Sequence, residues 1–436
     1  MTDFLDNKKE IHFRNAKENQ EQTLDTLELF SEIYITISIF PLVLLIILII
    51  LDMISGSQVL LLYATVYALI PGLGLAFLVL VSTVRPDEHG SGYLNMQDSK
   101  FERGQESGAL DLGLIDQFTG TYQVFDRIAS KEGTQVALKI LKEPHVFLRE
   151  NPYYTLAITV PGAFAFLIVA VLSDSVPATW SGVVASPVSS TVIYVYVPLF
   201  IICVPLSIFW EWNRRQRYAV LNGLSENLRK LASANATGLT LLEAIKVVAD
   251  TTPGKLGEEF EALHSKSNYG MHLKESLVVF NNKYYIPRLA RTLKLISKAQ
   301  EISNQIPSVL STAAKATETQ EDIERERKQR ALMQVAIIIM TFLTLLGVIA
   351  ALNAYFLETM AEVTEQTSGG MTATGQDFGT SMDLNVLSLL FFHAVTLQAV
   401  FSGLVCGYIR QASLSSGVKY VVGLLLVTIG VWVMVA

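Results

Sequence analysis

Cysteine is almost missing from this chain: there are two in 436 residues, Cys203 and Cys406. Both fall inside apolar runs, which excludes a disulfide framework and a thiolate metal site and leaves them as small packing residues. The common catalytic signatures are missing too. The chain has no Gly-x-x-x-x-Gly-Lys-Ser/Thr phosphate loop, no His-Glu-x-x-His zinc helix, no Gly-x-Ser-x-Gly nucleophile elbow and no Gly-x-Gly-x-x-Gly after a strand. Its six histidines are scattered singly. His264, after Leu263 on a helix downstream of an apolar run, stands where a sensor kinase carries its phospho-acceptor. It lacks the acidic and prolyl neighbours, and no ATP-binding domain follows, so a surface histidine is the plainer reading. With these absences the chain is expected to be no enzyme, with no catalytic residue, no metal, no cofactor and no nucleic-acid partner.

Charge is scarce as well. Charged residues make up 17% and hydrophobic ones 51%, against roughly 25% charged in a soluble domain. The apolar residues come in runs near the length that crosses about 30 Å of hydrocarbon as a helix. They predict an all-α polytopic membrane protein with seven spans: Ile33–Leu51, Val59–Val84, Tyr153–Leu172, Val188–Trp210, Leu332–Leu357, Leu384–Ile409 and Tyr420–Ala436. Some thirty polar residues precede the first run, so no cleavable signal is expected. Lys and Arg are missing after spans one, three and five and crowd the segments after spans two and four. The positive-inside rule then puts the N-terminus in the cytoplasm and the C-terminus outside a multi-pass cell membrane protein. The loop Glu358–Asp383, acidic and without a base, reads as exterior.

Between spans four and five lies a basic block, Arg217 to Arg330, with more Lys plus Arg than Asp plus Glu. Inside it one phrase occurs twice: Gly238-Leu-Thr240-Leu-Leu-Glu243-Ala-Ile245 and Gly270-Met-His272-Leu-Lys-Glu275-Ser-Leu277. Each copy reads as a helix end, a glycine in the left-handed turn and the start of a second helix. Thr240 and Glu243 form a capping box, whereas His272 is a poorer cap. A weaker third copy is sought at Ala299–Leu310, where Ser303 stands in the glycine's place. Three hairpins predict a cytoplasmic six-helix bundle. Its core faces are the stripes Val220, Leu224, Leu228, Leu231; Leu241, Ala244, Ile245, Val248; Leu256, Phe260, Leu263; and Leu289, Leu293, Ile296. Its last helix is expected to begin near Pro307 and to run unbroken into span five.

Leu224–Ala232, Asn235–Ile245 and Tyr269–Leu277 together resemble the type II secretion F domain, and more narrowly the archaeal platform proteins of type IV pili and archaella. Phe30-Ser-Glu-Ile-Tyr34, His393 and Gly403-Leu-Val-Cys-Gly407 to Gly417 agree with that resemblance. It implies a non-catalytic scaffold, a homodimer in the bilayer, that engages a hexameric secretion ATPase and acts on pilin-like or archaellin-like subunits. The longer archaeal members carry two helical domains. Residues 1–32, with Lys8–Leu29, resemble only the exit helix of a missing or truncated first domain, which implies a truncated or split form. The expected domains are then 33–84 and 153–210 as transmembrane hairpins, 85–152 as a linker, 211–331 as the bundle and 332–436 as three spans.

Two surfaces stand out. Arg288, Arg291 and Lys294 recur every three residues beside a core stripe and are expected to project together, docking an acidic face of the ATPase, with Arg229, Lys230 and Lys246 as further candidates. A solvated face is the plainer alternative. For Lys139, Lys142 and Arg149 positive-inside charge is preferred over partner contact. In span six, His393, Thr396, Val400, Gly403 and Gly407 share one face, with the glycines as a Gly-x-x-x-Gly pair for helix packing and His393 as a packing histidine. Rival readings are a transporter, which would want charged or broken-helix sites near the midplane, and a sensory receptor. Neither accounts for the repeated phrase.

The topology is testable. In a background without Cys203 and Cys406, single cysteines at Ser55, Thr179 and Thr372 react with an impermeant thiol reagent in intact cells, and one at Ser265 does not. Labelling at Ser265 reverses the orientation.

Overall fold

A computed structural model describes residues 2–55, 59–83, 94, 144–173, 180–302, 306–368 and 384–435. In chain order its elements are α1 (Thr2–Ser55), α2 (Val59–Ala64), a π-helical turn (Thr65–Leu69), α3 (Ile70–Thr83), α4 (Pro144–Glu150), a 3-10 turn (Pro152–Thr155), α5 (Leu156–Leu172), α6 (Trp180–Ala185), α7 (Pro187–Thr191), a second π-helical turn (Val192–Tyr196) and α8 (Val197–Leu221). There follow α9 (Leu224–Ala236), α10 (Leu241–Thr251), α11 (Lys255–Asn268), α12 (Leu273–Tyr284), α13 (Pro287–Ile302), α14 (Ile306–Ser368), α15 (Leu384–Gln411), a 3-10 turn (Leu414–Ser416) and α16 (Val418–Val435). No strand occurs among the described residues. Lys139, Lys142, Ser303 and most of the linker lie outside them.

Seven helical stretches are long and apolar enough to cross a membrane: Lys17–Leu51, Val59–Thr83, Pro152–Leu172, Pro187–Ala236, Ile306–Tyr355, Asn385–Gln411 and Leu414–Val435. The chain is a multi-pass membrane protein. α1 runs unbroken through Pro41, inside the first expected span, where lipid offers the backbone no better hydrogen-bonding state than helix. One helix end departs from expectation. α14 continues past Leu357 to Ser368, into the segment read as exterior loop. The residues after Leu357 hold Glu, Met and Ala and no glycine or proline before Gly369, so nothing local stops the helix.

The chain divides into two compact units, the first comprising Met1–Pro86, Pro152–Trp210 and Arg325–Ala436. Its centre is α15: 72% of that helix's apolar window is buried, against 17–39% for the other spans. The others turn apolar side chains such as Leu60, Phe164, Ile168, Leu172 and Met340 outward, as lipid-facing helices do. α15 packs closest to α16 because two of its residues have no side chain. A Cβ on Gly403 would meet the backbone and side chain of Val421, and one on Gly407 would overlap the backbone of Gly417. Around this seam lie Leu45, Leu62, Phe392 and Trp432 in one apolar cluster and Tyr34, Phe77, Val405 and Ile409 in another.

The second unit comprises Asp87–Asn151 and Glu211–Glu324. Within it α9 packs on α10, α10 on α11, α11 on α12 and α12 on α13. Every residue of the four stripes read from the sequence is buried, and together with Phe280, Leu310 and Ala314 they form one core. Leu94 packs against that core, and its backbone is held by the Asn282 carboxamide, which accepts from the Leu94 N–H at 3.0 Å and donates to its carbonyl at 2.9 Å.

The α15–α16 seam makes a prediction with opposite signs at two glycines. Gly407→Ala destabilises the detergent-solubilised protein by about 1–3 kcal/mol through overpacking, whereas Gly423→Ala, which meets nothing within 4 Å, is neutral or stabilising. Thermal melts of the two variants decide it; equal shifts would remove the seam from the account.

Candidate functional site

The two phrases fold as two copies of one turn. Gly238 has φ +96° and Gly270 φ +97°, a region that L-residues with a Cβ enter only under strain. The residue before each glycine has nearly the same backbone, φ −80° and ψ 3° at Thr237 and φ −83° and ψ 11° at Tyr269. In both, the glycine N–H donates to the carbonyl three residues back, Asn235 at 3.1 Å and Ser267 at 3.1 Å. The next helix starts from an extended cap, Thr240 or His272.

The caps differ as their chemistry requires. The Thr240 hydroxyl accepts from the Glu243 N–H at 3.3 Å, and the Glu243 carboxylate accepts from the Thr240 N–H at 2.9 Å. That backbone donor, and then the Thr240 hydroxyl, hold the Glu243 carboxyl below the usual carboxylate range. His272 makes no side-chain cap bond, and Glu275 lies half-buried at the equivalent of Glu243.

The duplication reaches further than the phrase. Shifted by the 32 positions that separate Gly238 from Gly270, buried residues fall on buried residues: Leu224 on Leu256, Leu228 on Phe260, Leu231 on Leu263, Leu241 on Leu273, Ile245 on Leu277 and Val248 on Phe280. One buried polar pair is also repeated. The Asn227 carboxamide oxygen accepts from the Thr252 hydroxyl, and at the same offset the Glu259 carboxylate accepts from the Tyr284 hydroxyl at 2.6 Å. Each bond ties the first helix of its hairpin to the end of the second. Burial, and then the bond to Glu259, raise the Tyr284 phenol above its ordinary value. Glu259 is 6% exposed and takes a second bond from Lys283 at 2.6 Å, so the buried charge is paired. Sequence reading missed this pair, although sliding the chain along itself by that offset reveals it.

The basic candidates do not form one free face. Arg288 is paired with Glu324 and its side chain is 12% exposed, so it does not project with Arg291 and Lys294. At about 100° per residue, Arg288 sits on the flank of the Leu289, Leu293, Ile296 stripe, while Arg291 and Lys294 sit opposite it. Arg229 bonds Glu318 at 2.7 Å and Lys230 bonds Glu226 at 3.0 Å. Arg288, Arg229 and Lys230 are thus each paired with an acid of the same block. Lys246, Arg291 and Lys294 are exposed, and beside two of them stand exposed aliphatic residues, Val247 and Leu295, at 45% and 51%. Arg149 lies over the Trp212 ring.

In the membrane unit His393 and Thr396 are bonded to other spans. Thr191 donates its hydroxyl to the Pro187 carbonyl at 2.7 Å, so towards His393 Nε2, 3.0 Å away, it accepts. His393 therefore carries its proton on Nε2, and Nδ1 accepts from the Tyr67 hydroxyl at 2.5 Å. One turn along, Thr396 donates to Phe392 at 2.7 Å and receives the Tyr196 hydroxyl at 2.7 Å. Tyr67 and Tyr196 each come from a π-helical turn, Thr65–Leu69 and Val192–Tyr196. The widened turns aim both phenols at α15. Gly403, on the same stripe, faces Val421 of α16 instead, and Gly407 faces Ser416 and Gly417, which lead into α16. These side chains join spans.

A family model described as Type II secretion system (T2SS), protein F matches residues 228–353. The matched segment begins in α9, covers both turns and the helices between them, and ends in the apolar part of α14. It supports kinship with the platform proteins of type II secretion and type IV pilus systems. Proteins of that family are non-catalytic and typically work in the membrane with cytoplasmic ATPases and pilin subunits. Neither the curated proteins nor the solved structures contain a match to the chain.

Proposed function

We propose that this chain is the membrane platform of a filament-assembly machine of the type IV pilus or archaellum kind, a homodimer whose hairpin unit lies in the cytoplasm and engages a hexameric ATPase. The observation that carries the reading is the family match over residues 228–353, because it falls on the duplicated hairpins and on the helix that leaves them for the membrane. α14 is one helix of 63 residues, charged between Lys315 and Arg330 and apolar from Ala331 to Leu357. A displacement imposed by ATP hydrolysis on the hairpins would pass along its hydrogen-bonded backbone without a loop to absorb it. The membrane helices would then act on pilin-like subunits leaving the bilayer.

In this reading the ATPase presents acidic groups to Lys246 on α10 and to Arg291 and Lys294 on α13, with Val247 beside the first and Leu295 beside the last as apolar contacts. Charge complementarity of this kind sets encounter rate and register more than affinity. Arg288 belongs to the fold, since removing it would strand Glu324.

Reversing Lys246, Arg291 and Lys294 to Glu leaves the protein inserted and melting as wild type, but lowers ATPase co-purification and filament number. Wild-type co-purification falls as salt rises, within the screening range of about 10 Å at 0.1 M, and the triple variant loses that dependence. Normal ATPase recovery and normal filaments in the variant would exclude these three bases as the docking site.

A further inference from the structure

The membrane unit contains a cavity of about 780 Å³ that none of the roles above uses. Its polar lining consists of three hydroxyls, Ser186, Ser189 and Ser388, and two carboxamides, Asn353 and Asn385, and the rest is aliphatic. Among the described residues, no Lys, Arg, His, Asp or Glu lines it. The residues come from one end of the unit: the start of α7, the start of α15, the end of the apolar stretch Ile306–Tyr355, and Val435 at the end of α16.

A second observation points to an occupant. Asn353 is 2% exposed, yet its side-chain oxygen accepts no hydrogen bond. Buried polar atoms are almost always satisfied. The Ser186 hydroxyl lies 3.3 Å from the Gly182 carbonyl and 3.1 Å from the Ser190 hydroxyl, and that of Ser189 lies 3.3 Å from the Ser186 carbonyl. The cavity therefore offers an unused buried acceptor among hydroxyls that can donate or accept.

The chemistry of the lining narrows the ligand. A phosphate or carboxylate would be buried without a cation, and an ammonium without an anion, each at a heavy desolvation cost. An uncharged headgroup bearing a hydroxyl can donate to Asn353 and accept from the serines, while its hydrocarbon lies along the aliphatic wall. The volume falls within the range of small-molecule sites, roughly 300–1,000 Å³. We propose that this cavity binds the headgroup of a neutral, hydroxyl-bearing lipid of the diacylglycerol class, held by Asn353. Such a ligand would sit next to the tie between Thr191 and His393, since Ser189 and Ser388 precede those residues on the same helices. The inference does not depend on the proposed function.

The full-length protein in phosphatidylcholine nanodiscs is photolabelled with a diacylglycerol carrying a diazirine on its acyl chain, and the labelled peptides are mapped by mass spectrometry. Peptides containing Ser186–Ile193, Asn353 and Asn385–Ser388 are expected to be labelled above those of α5, which faces lipid. Asn353→Leu lowers that excess by about threefold or more, the scale of one lost hydrogen bond, and Thr344→Val, on an exposed face of the same helix, does not. If Asn353→Leu fails to fold, Ser189→Leu, which fills the cavity from its rim, must produce the same loss. Labelling no greater than that of α5, as a water-filled cavity would give, overturns the proposal. So does equal labelling of these peptides by a phosphatidylglycerol probe, or an excess that survives Asn353→Leu or Ser189→Leu.

Discussion

The hairpin unit depends on a backbone conformation that only glycine adopts without strain. At Gly238 and Gly270 the chain turns through φ +96° and +97°, and on either side of each turn the helices bury equivalent residues. Because the turns agree, the two stripes Leu241, Ile245, Val248 and Leu273, Leu277, Phe280 enter the core in the same register. The polar pairs Asn227–Thr252 and Glu259–Tyr284 can then recur at the same places. A side chain at either glycine would bring steric strain to the point from which both helices of its hairpin are aimed.

The membrane unit obeys a different constraint. In hydrocarbon every backbone amide must find its partner within the protein, which leaves helices as the form available to this chain. Apolar packing gives little preference between a neighbouring helix and lipid, so specificity passes to small residues and polar contacts. Those concentrate on α15. Its glycines admit α16, and His393 and Thr396 receive the hydroxyls of Tyr67 and Tyr196. A histidine bonded at both nitrogens by hydroxyls serves as a structural tie. Its proton is placed by the prior commitment of Thr191 to the Pro187 carbonyl.

Much of this was legible in the sequence, for physical reasons that also mark where legibility ends. Apolar runs near the bilayer thickness announced the spans, and glycine followed by a capping residue announced the turns, because both signals are local. Arg288 misled because its partner, Glu324, lies far along the chain on another helix, and spacing alone cannot tell an exposed flank from a covered one. The repeated buried pair was hidden by chemistry, since an amide with a hydroxyl and a carboxylate with a phenol share a geometry but no letters. Thr65–Leu69 and Val192–Tyr196 carry no signature that would announce a widened turn. The helical extension to Ser368 was missed because acids and threonines were read as loop, although none of them breaks a helix.

The account stands most directly on the claim that the hairpin unit is one turn built twice. It predicts that Gly238→Val and Gly270→Val, each made singly in the full-length protein, cost a similar amount, about 1–3 kcal/mol for a side chain forced into left-handed backbone. Gly→Val at Gly430, a helical site with nothing within 4 Å, should cost less, since it brings only the helix preference of a β-branched residue. Thermal melts in detergent, read alongside the rate of proteolytic cleavage within residues 224–302, measure all three. Parallel losses at Gly238 and Gly270 are the predicted result. Wild-type stability at either position would contradict the claim.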